Sequence, residues 1–367
     1  GLAEVARIRA EMHTIIAKVG FQGDFAAFVN YLRTDPKFFY ATPEELLDGY
    51  LAVSKRIDPN LTRLFGKLPR TPYGVRAIAW DTRAPPRALF GEAPFDLAFV
   101  PGDNRYAWHA AAMRARWIVA FAGDRPANKN WPVDRLVAYP DEPAAWGDMV
   151  AALAEGPAPA PYAPSRWPAG PAAPFELPSG RFAVLHVGAS TPLKHWAPDR
   201  WRTIAERIAA RGIEPVWSGG RGEDPLVRAC DPEGKRRSYA GTLDLPQMRA
   251  LLDRAALMVS PDTGIAHLAR IAGTPSVTLY GPGSATITGA GRFYADMPWR
   301  AVTVDPFPCR DQTVLFRREI AWVRRCGRST AECPHPRCMD AIGVDTVAAA
   351  IDDVLALPDP RTTGAVR

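Results

Sequence analysis

The run Ser260-Pro261-Asp262-Thr263-Gly264-Ile265-Ala266-His267-Leu268-Ala269, followed by Gly273-Thr274-Pro275 and Gly281-Pro282, reads as a strand end, a tight polar turn and a helix start. Asp262 or Thr263 can cap that helix. Gly264 lets backbone come close to a ligand. Free N–H groups and the dipole at a helix start favour a diphosphate. His267 lies one turn in, near the same mouth. The competing reading is an ordinary capped helix with a packed histidine, which a lone Asp-Thr-Gly would favour.

Two further blocks sit past apolar runs. One is Leu185-His186-Val187-Gly188-Ala189-Ser190 with Lys194-His195-Trp196 and Asp199-Arg200-Trp201; the other is Trp217-Ser218-Gly219-Gly220 with Glu223. Four of the five cysteines, Cys309, Cys326, Cys333 and Cys338, lie within thirty residues. Prolines stiffen Cys333-Pro-His-Pro-Arg-Cys338, and four thiolates suit tetrahedral zinc or iron. The alternative is free or paired thiols in an irregular loop. Cys230 stands apart and reads as structural.

The elements that must position these groups alternate strand and helix. Strands are expected at 182–187, 214–217, 257–260 and 276–280, and helices at 197–211, 245–254, 264–272 and 344–355. Such alternation implies a parallel sheet covered on both faces, with ligands at the carboxyl ends of its strands. Residues 95–154 return the same texture in smaller form, with strands at 95–101 and 117–121 and a helix at 108–113. A Pro/Ala-rich linker, 155–180, joins the two. Residues 1–66 read as helical. Leu2, Val5, Ile8, Met12, Ile15 and Ile16 recur at helical spacing, and Thr42-Pro43 with Glu45 forms a capping box. Residues 67–94 are a Pro/Gly/Arg-rich break.

Composition narrows the function. Net charge is +6, which suits an anionic ligand, but no aromatic-interleaved basic repeat points to nucleic acid. Arg317, Arg318, Arg324, Arg325 and Arg328 read as a solvated face. No stretch is apolar enough to span a bilayer, and the N-terminus is a charged amphipathic pattern, so a cytoplasmic protein is expected.

Together the three blocks resemble the donor-binding signature of glycosyltransferase family 9, the heptosyltransferase-like family, over residues 95–355. The resemblance implies a GT-B-like fold of two facing Rossmann-type domains, 95–154 on the acceptor side and 181–357 on the donor side. It implies that Ser190, Thr191 and Lys194 contact donor phosphates, and that Ser218, Gly219 and Glu223 contact the nucleotide, the carboxylate accepting from ribose hydroxyls. Asp262, Thr263, Gly264 and His267 complete the donor set. The implied activity is sugar transfer from an ADP-heptose-like donor to a glycan or protein acceptor, with no cofactor required; the oligomeric state stays open. Some members carry a cysteine-bound iron finger, and the cluster in the 305–340 insertion looks similar.

The chain departs from the family at its N-terminus. The family opens with a strand and a Gly-Asp turn whose aspartate is the expected base. No such strand is found here, Gly23-Asp24 lies in a helical context, and the catalytic residue is left unassigned. A nucleotide-sugar-binding remnant without turnover is therefore the alternative, and a sugar-nucleotide epimerase a further one. Residues 38–76 resemble a fragment of a predicted zinc metallopeptidase family of unknown function. The six histidines offer no His-Glu-x-x-His, which argues against peptidase chemistry.

Overall fold

The computed structural model describes residues 2–38 and 95–361. The chain divides into two units, Gly1–Ala93 and Pro94–Arg367. In the first, helix α1 (Leu2–Lys18) follows the apolar spacing. Helix α2 (Phe25–Thr34) begins at Asp24, whose carboxylate accepts from the Ala27 N–H at 2.7 Å. Ile16 is buried, and Phe21 packs against Phe28 and Tyr31. The Thr42-Pro43 helix start and the break at 67–94 lie outside the described residues.

The second unit contains two parallel sheets. The smaller runs β1 (Ala98–Val100), β2 (Ile118–Phe121), β3 (Arg135–Val137) in that order. Helix α3 (Ala107–Ala112) covers one face, with Ala107 and Ala110 against Val100, Ile118 and Ala120. Val119 and Phe121 face the other way, onto Met149 of α4 (Trp146–Ala151) and Leu153. Strand β3 and helix α4 were not foreseen, because three and six residues are too few to show a period.

The larger sheet is built from β4 (Phe182–His186), α5 (Pro198–Ala209), β5 (Glu214–Ser218), α6 (Asp224–Cys230), α7 (Leu245–Arg254), β6 (Leu257–Pro261), α8 (Gly264–Ala272), β7 (Ser276–Tyr280), α9 (Ala285–Thr288) and β8 (Trp299–Thr303). Its strand order is β5-β4-β6-β7-β8, all parallel. Chain direction across the sheet therefore reverses between β4 and β6, and a crevice opens there at the strands' carboxyl ends. Local chemistry fixes the helices. Pro198 occupies the first turn of α5, and Asp244 with Gln247 forms a reciprocal capping box on α7. One face of the sheet buries Leu185, Trp217, Val259 and Leu279 against Trp201 and Ile204 of α5. The other buries Val184 and Met258 against Leu251 and Leu252 of α7. Each such fully buried aliphatic side chain contributes roughly 1.5–3 kcal/mol.

The 155–180 linker is not a free spacer. Tyr162 is buried and its hydroxyl donates to the Ile271 carbonyl at 2.7 Å, while Phe175 and Leu177 pack on the larger sheet's core. After β8 the chain forms a hairpin, β9 (Val314–Leu315) and β10 (Arg318–Glu319), then α10 (Arg337–Asp340) and the closing helix α11 (Val344–Leu355). Leu315, Ile320 and Val323 complete the core of the smaller sheet.

Arg318 corrects the solvated-face expectation. It is 4% exposed and donates to the carbonyls of Ala122 at 2.7 Å, Gly102 at 2.9 Å and Phe121 at 3.0 Å, and to Asn104 Oδ1 at 2.8 Å. Asp124 lies 3.5 Å away as its counter-charge. The hairpin turn, Phe316-Arg317, has both residues at positive φ (46° and 64°), a conformation that side chains disfavour. The anchored Arg318 holds it. Asp124 keeps Lys129 at 3.1 Å and the Asn104 N–H at 2.7 Å, but replacing Arg318 with Met leaves the Ala122 and Gly102 carbonyls without that buried donor, so urea unfolding should show a loss of about 2–3 kcal/mol. A loss under about 1 kcal/mol would show the hairpin to be a passive cover.

Candidate functional site

The loops after β4 and β6 meet through one ammonium group. Lys194 follows β4 on a short 3-10 turn, Pro192–Lys194, capped by Thr191, whose hydroxyl accepts from the Leu193 N–H at 3.3 Å. Its Nζ donates to the Asp262 carbonyl at 2.7 Å and to Asp262 Oδ2 at 3.0 Å. Asp262 is buried, and its other oxygen accepts from the Thr288 hydroxyl at 3.2 Å. Thr191, Lys194, Asp262, Ser284 and Thr288 line a cavity of about 540 Å³, with Arg325, Cys326, Arg328, Ser329 and Thr330 on a second wall.

Helix α8 opens beside Asp262. Thr263 is its N-cap, but the hydroxyl makes no capping bond, and Oγ1 has no partner among the described residues. The N–H groups of Gly264 and Ile265 donate to no partner among the described residues either. A Cβ built on Gly264 meets nothing within 4 Å. The fold itself therefore supplies no steric reason for glycine, and the open space lies where a bound group would approach the helix dipole. His267 accepts at Nδ1 from Arg270 at 2.6 Å, which puts its proton on Nε2. Burial, then the Arg270 charge, lowers its pKa and keeps the ring neutral.

The third block behaves in two ways. Glu223 precedes α6 and reaches back over both strand-end turns. Its carboxylate accepts from the Ala189 N–H at 3.0 Å and from the Gly220 N–H. A Cβ at Gly188 would overlap that carboxylate, and one on Gly219 would crowd the Glu223 Cβ at 3.2 Å, so both glycines serve a close approach. Ser218 does not join them. It is fully buried and its hydroxyl pairs with His186 Nδ1 at 3.0 Å. Its place as the last residue of β5 turns it into the core, which removes it from the donor set. Ser190 is exposed and does not line the 540 Å³ cavity.

The four clustered thiols do share a space. Cys309, Cys326, Cys333, Cys338 and His335 line an adjoining cavity of about 290 Å³. Yet among the described residues no group of three or more His, Cys, Asp or Glu side chains is arranged to hold a metal ion. The expected tetrahedral site is thus not formed: the Cys333 thiol donates to the His335 carbonyl at 3.5 Å, and Cys338 is buried. Burial and the neighbouring Cys309 raise the Cys338 pKa. Cys230 is buried in the core, as its isolation suggested.

No described group takes the place of the missing base. Asp24 is a helix cap. A second Gly-Asp pair, Gly102-Asp103, follows β1, but Asp103 bonds to Lys129 Nζ at 2.8 Å and accepts from the Arg105 N–H at 2.9 Å. Burial works to raise its pKa, but those bonds and the charges of Lys129 and Arg105 hold it below the ordinary value. Sequence reading missed Ser284, Thr288, Arg325, Arg328, Ser329 and Thr330. The hydroxyl beside Gly281-Pro282-Gly283 was the available signal for Ser284.

Comparison with known proteins bears on these features. Residues 157–304 match the family model described as Glycosyltransferase family 9 (heptosyltransferase), and residues 1–121 match one described as Bacterial protein of unknown function (DUF885). Lipopolysaccharide heptosyltransferase 1 of Pseudomonas aeruginosa is 28% identical over 200 residues, covering 50% of this chain and 50% of that protein. Lipopolysaccharide heptosyltransferase 3 of Escherichia coli is 29% identical over 107 residues, 27% of this chain and 31% of that protein. The chain spans half or less of the length of these curated relatives. The solved ADP-heptose lipopolysaccharide heptosyltransferase II of E. coli matches with a TM-score of 0.50 at 17% identity, covering 71% of this chain and 76% of that one. The fold is accordingly α/β with GT-B-like parallel sheets, and homologues support a family 9 domain. The match over 1–121 carries no activity and lends nothing to the zinc-peptidase likeness of residues 38–76. No helix among the described residues is long and apolar enough to cross a membrane.

The His186–Ser218 pair yields a pH test. Burial pushes the His186 imidazole down to about 4. Above its unfolded pKa of about 6.5 both states are neutral there and stability is at its full value. Between about 6.5 and about 4 the unfolded chain takes up a proton that the folded chain refuses, so stability falls by on the order of 3 kcal/mol. Urea midpoints across that window should drop, and His186→Gln should flatten the slope by close to one proton. An unchanged slope in the variant would assign the acid sensitivity elsewhere.

Proposed function

We propose that the chain binds a nucleoside-diphosphate sugar in the crevice between β4 and β6, and that it is a glycosyltransferase of the heptosyl type. In this reading 181–357 is the donor-binding domain and 95–154 a partial acceptor-side domain. The observation that carries it is the Lys194–Asp262 clasp set against the unpartnered N-terminus of α8, at the point where the sheet reverses direction. Lys194 has three N–H donors and spends two on Asp262, so one remains for a phosphate oxygen. That proton, with the Gly264 and Ile265 N–H groups and the helix dipole, stabilises the negative charge that grows on a diphosphate as the glycosyl bond breaks. The chemistry requires no metal ion. In this reading Glu223, whose carboxylate accepts from the Ala189 N–H, offers its remaining lone pairs to the ribose hydroxyls. An ADP-heptose-like donor and a glycan or protein acceptor are the substrates that the relatives' names suggest.

A second reading, donor binding without efficient turnover, is favoured by one specific observation. The carboxylate lining the 540 Å³ cavity is that of Asp262, and it is held by Lys194 and Thr288. General-base catalysis typically contributes 10²–10⁴-fold, so its loss leaves binding intact and slows transfer. A structural iron or zinc among the four cysteines requires their side chains to turn onto a common point. Metal analysis of tag-free protein decides that, and less than one equivalent ends it.

A thermal-shift panel of ADP-, GDP- and UDP-sugars tests the main reading. A ligand selective for the folded chain at a hundredfold excess over its Kd adds about 2.7 kcal/mol of stability. Lys194→Ala and Asp262→Ala should each weaken that binding by roughly 10–100-fold, the worth of a charged hydrogen bond. If no nucleotide or nucleotide sugar shifts the melting of the unmutated chain, the reading fails. Product analysis with radiolabelled donor then separates transfer from hydrolysis, from epimerisation and from binding alone.

A further inference from the structure

Charges around the 540 Å³ cavity are paired, with one exception among the described residues. Lys194 is held by Asp262. Arg328 is clasped by Asp311 through bonds of 3.0 and 2.8 Å, and also donates to the Cys309 carbonyl. That ion pair raises its pKa and leaves it little net charge to offer. Glu332, on the adjoining cavity, accepts from the Ser329 N–H and hydroxyl. Arg325 is different. It is half-buried and lines the cavity, and its guanidinium has no hydrogen-bond, ion-pair or aromatic partner among the described residues.

Its backbone is nevertheless fixed. Gln312 N–H donates to the Arg325 carbonyl at 3.0 Å and Arg325 N–H returns a bond to the Gln312 carbonyl at 3.2 Å. The next N–H, of Cys326, donates to the Pro282 carbonyl at 3.0 Å, just beyond β7. A guanidinium carries five donors in a planar fork, and taking it half out of water without a partner costs free energy that a bound anion recovers. The rim supplies hydroxyls from Thr191, Ser284 and Thr330.

We propose that Arg325 forms an oxyanion subsite for a phosphate or carboxylate group of a substrate. It is contributed by the segment after β8 and not by the sheet. The inference rests on the nucleotide-sugar reading for what else occupies the cavity. The anion has two sources of the same chemistry, the donor's own phosphates and an acidic group on the acceptor. They differ in one respect: a donor phosphate and free phosphate exclude one another, whereas an acceptor subsite stays open when the nucleotide is bound.

The experiment uses the full chain and three probes: inorganic phosphate, ADP, and phosphate in saturating ADP, each read by thermal shift. Phosphate should stabilise the unmutated chain, and Arg325→Ala should weaken that response at least tenfold, with Arg325→Lys intermediate. A phosphate response that survives saturating ADP assigns the subsite to the acceptor. A response that ADP abolishes, together with weaker ADP binding in Arg325→Ala, assigns it to the donor phosphates. If phosphate and ADP responses are both unchanged in Arg325→Ala, the subsite is refuted. Should that variant melt early without ligand, Arg325→Gln, which keeps a polar side chain and loses the charge, replaces it under the same criteria. An Arg325-dependent phosphate response in a chain that ADP leaves untouched would sink the nucleotide reading and leave the subsite standing.

Discussion

One ammonium group organises the crevice. Lys194 sits on the loop after β4 and binds both the carbonyl and the carboxylate of Asp262 on the loop after β6. These loops leave neighbouring strands whose connections run in opposite directions, so nothing in the ladder itself holds them together beyond the strand ends. The clasp does so electrostatically, in a partly buried setting where water screens it less than at the surface. Asp262 is held again by Thr288, so the position of Lys194 is set through α9 as well as through its own loop. A lysine fixed this way presents its last donor in a defined direction, and preorganisation of that kind is what electrostatic catalysis needs.

The segment after β8 has two tasks that pull on the same short stretch. Leu315, Ile320 and Val323 fill the core beneath the three-stranded sheet, and Arg318 saturates carbonyls at the ends of β1 and β2. A few residues on, Arg325 and Arg328 form one wall of the 540 Å³ cavity. The sheet of three strands and the cavity wall are thus one mechanical unit. A change that loosens Arg318 also frees the turn at Phe316-Arg317, whose left-handed backbone is sustained only by its surroundings. Stability of the smaller sheet and shape of the cavity are coupled through a hairpin of two-residue strands.

The larger sheet was legible because its strands are continuous apolar runs and its helices carry local punctuation. Asp244 with Gln247, Pro198, and Gly264 each mark a boundary that the structure reproduces to within a residue or two. Strand β8 was not legible: Trp299-Arg300-Ala301-Val302-Thr303 sits at the sheet's edge, half exposed, and mixes a charge into the run. The residues expected at the crevice divided along the same line. That Lys194 and Asp262 would meet at the crevice was legible because each lies on a loop after a buried strand, where the period fixes the end of the sheet. Ser218 was misplaced by a single residue of strand length, since it is the last rung of β5 and alternation turns its side chain inward. The arginines of 317–328 carry no period, and only tertiary contacts separate the buried Arg318 from the exposed Arg324 and the cavity-lining Arg325.

Binding and turnover make different demands on this cavity. Anion binding requires donors that water serves poorly; in the proposed reading these are the third proton of Lys194 and the fork of Arg325, which line the cavity, with the α8 N-terminus beside Asp262. Turnover further requires a proton acceptor near the nucleophile. Asp262 is already engaged, one carboxylate oxygen by Lys194 and the other by Thr288. Asp103 is no better placed in energy, since Lys129 and Arg105 stabilise its charged form and so weaken it as a base. In the proposed reading Lys194 has two tasks, since the ammonium offered to a phosphate is also the one that binds the Asp262 carboxylate.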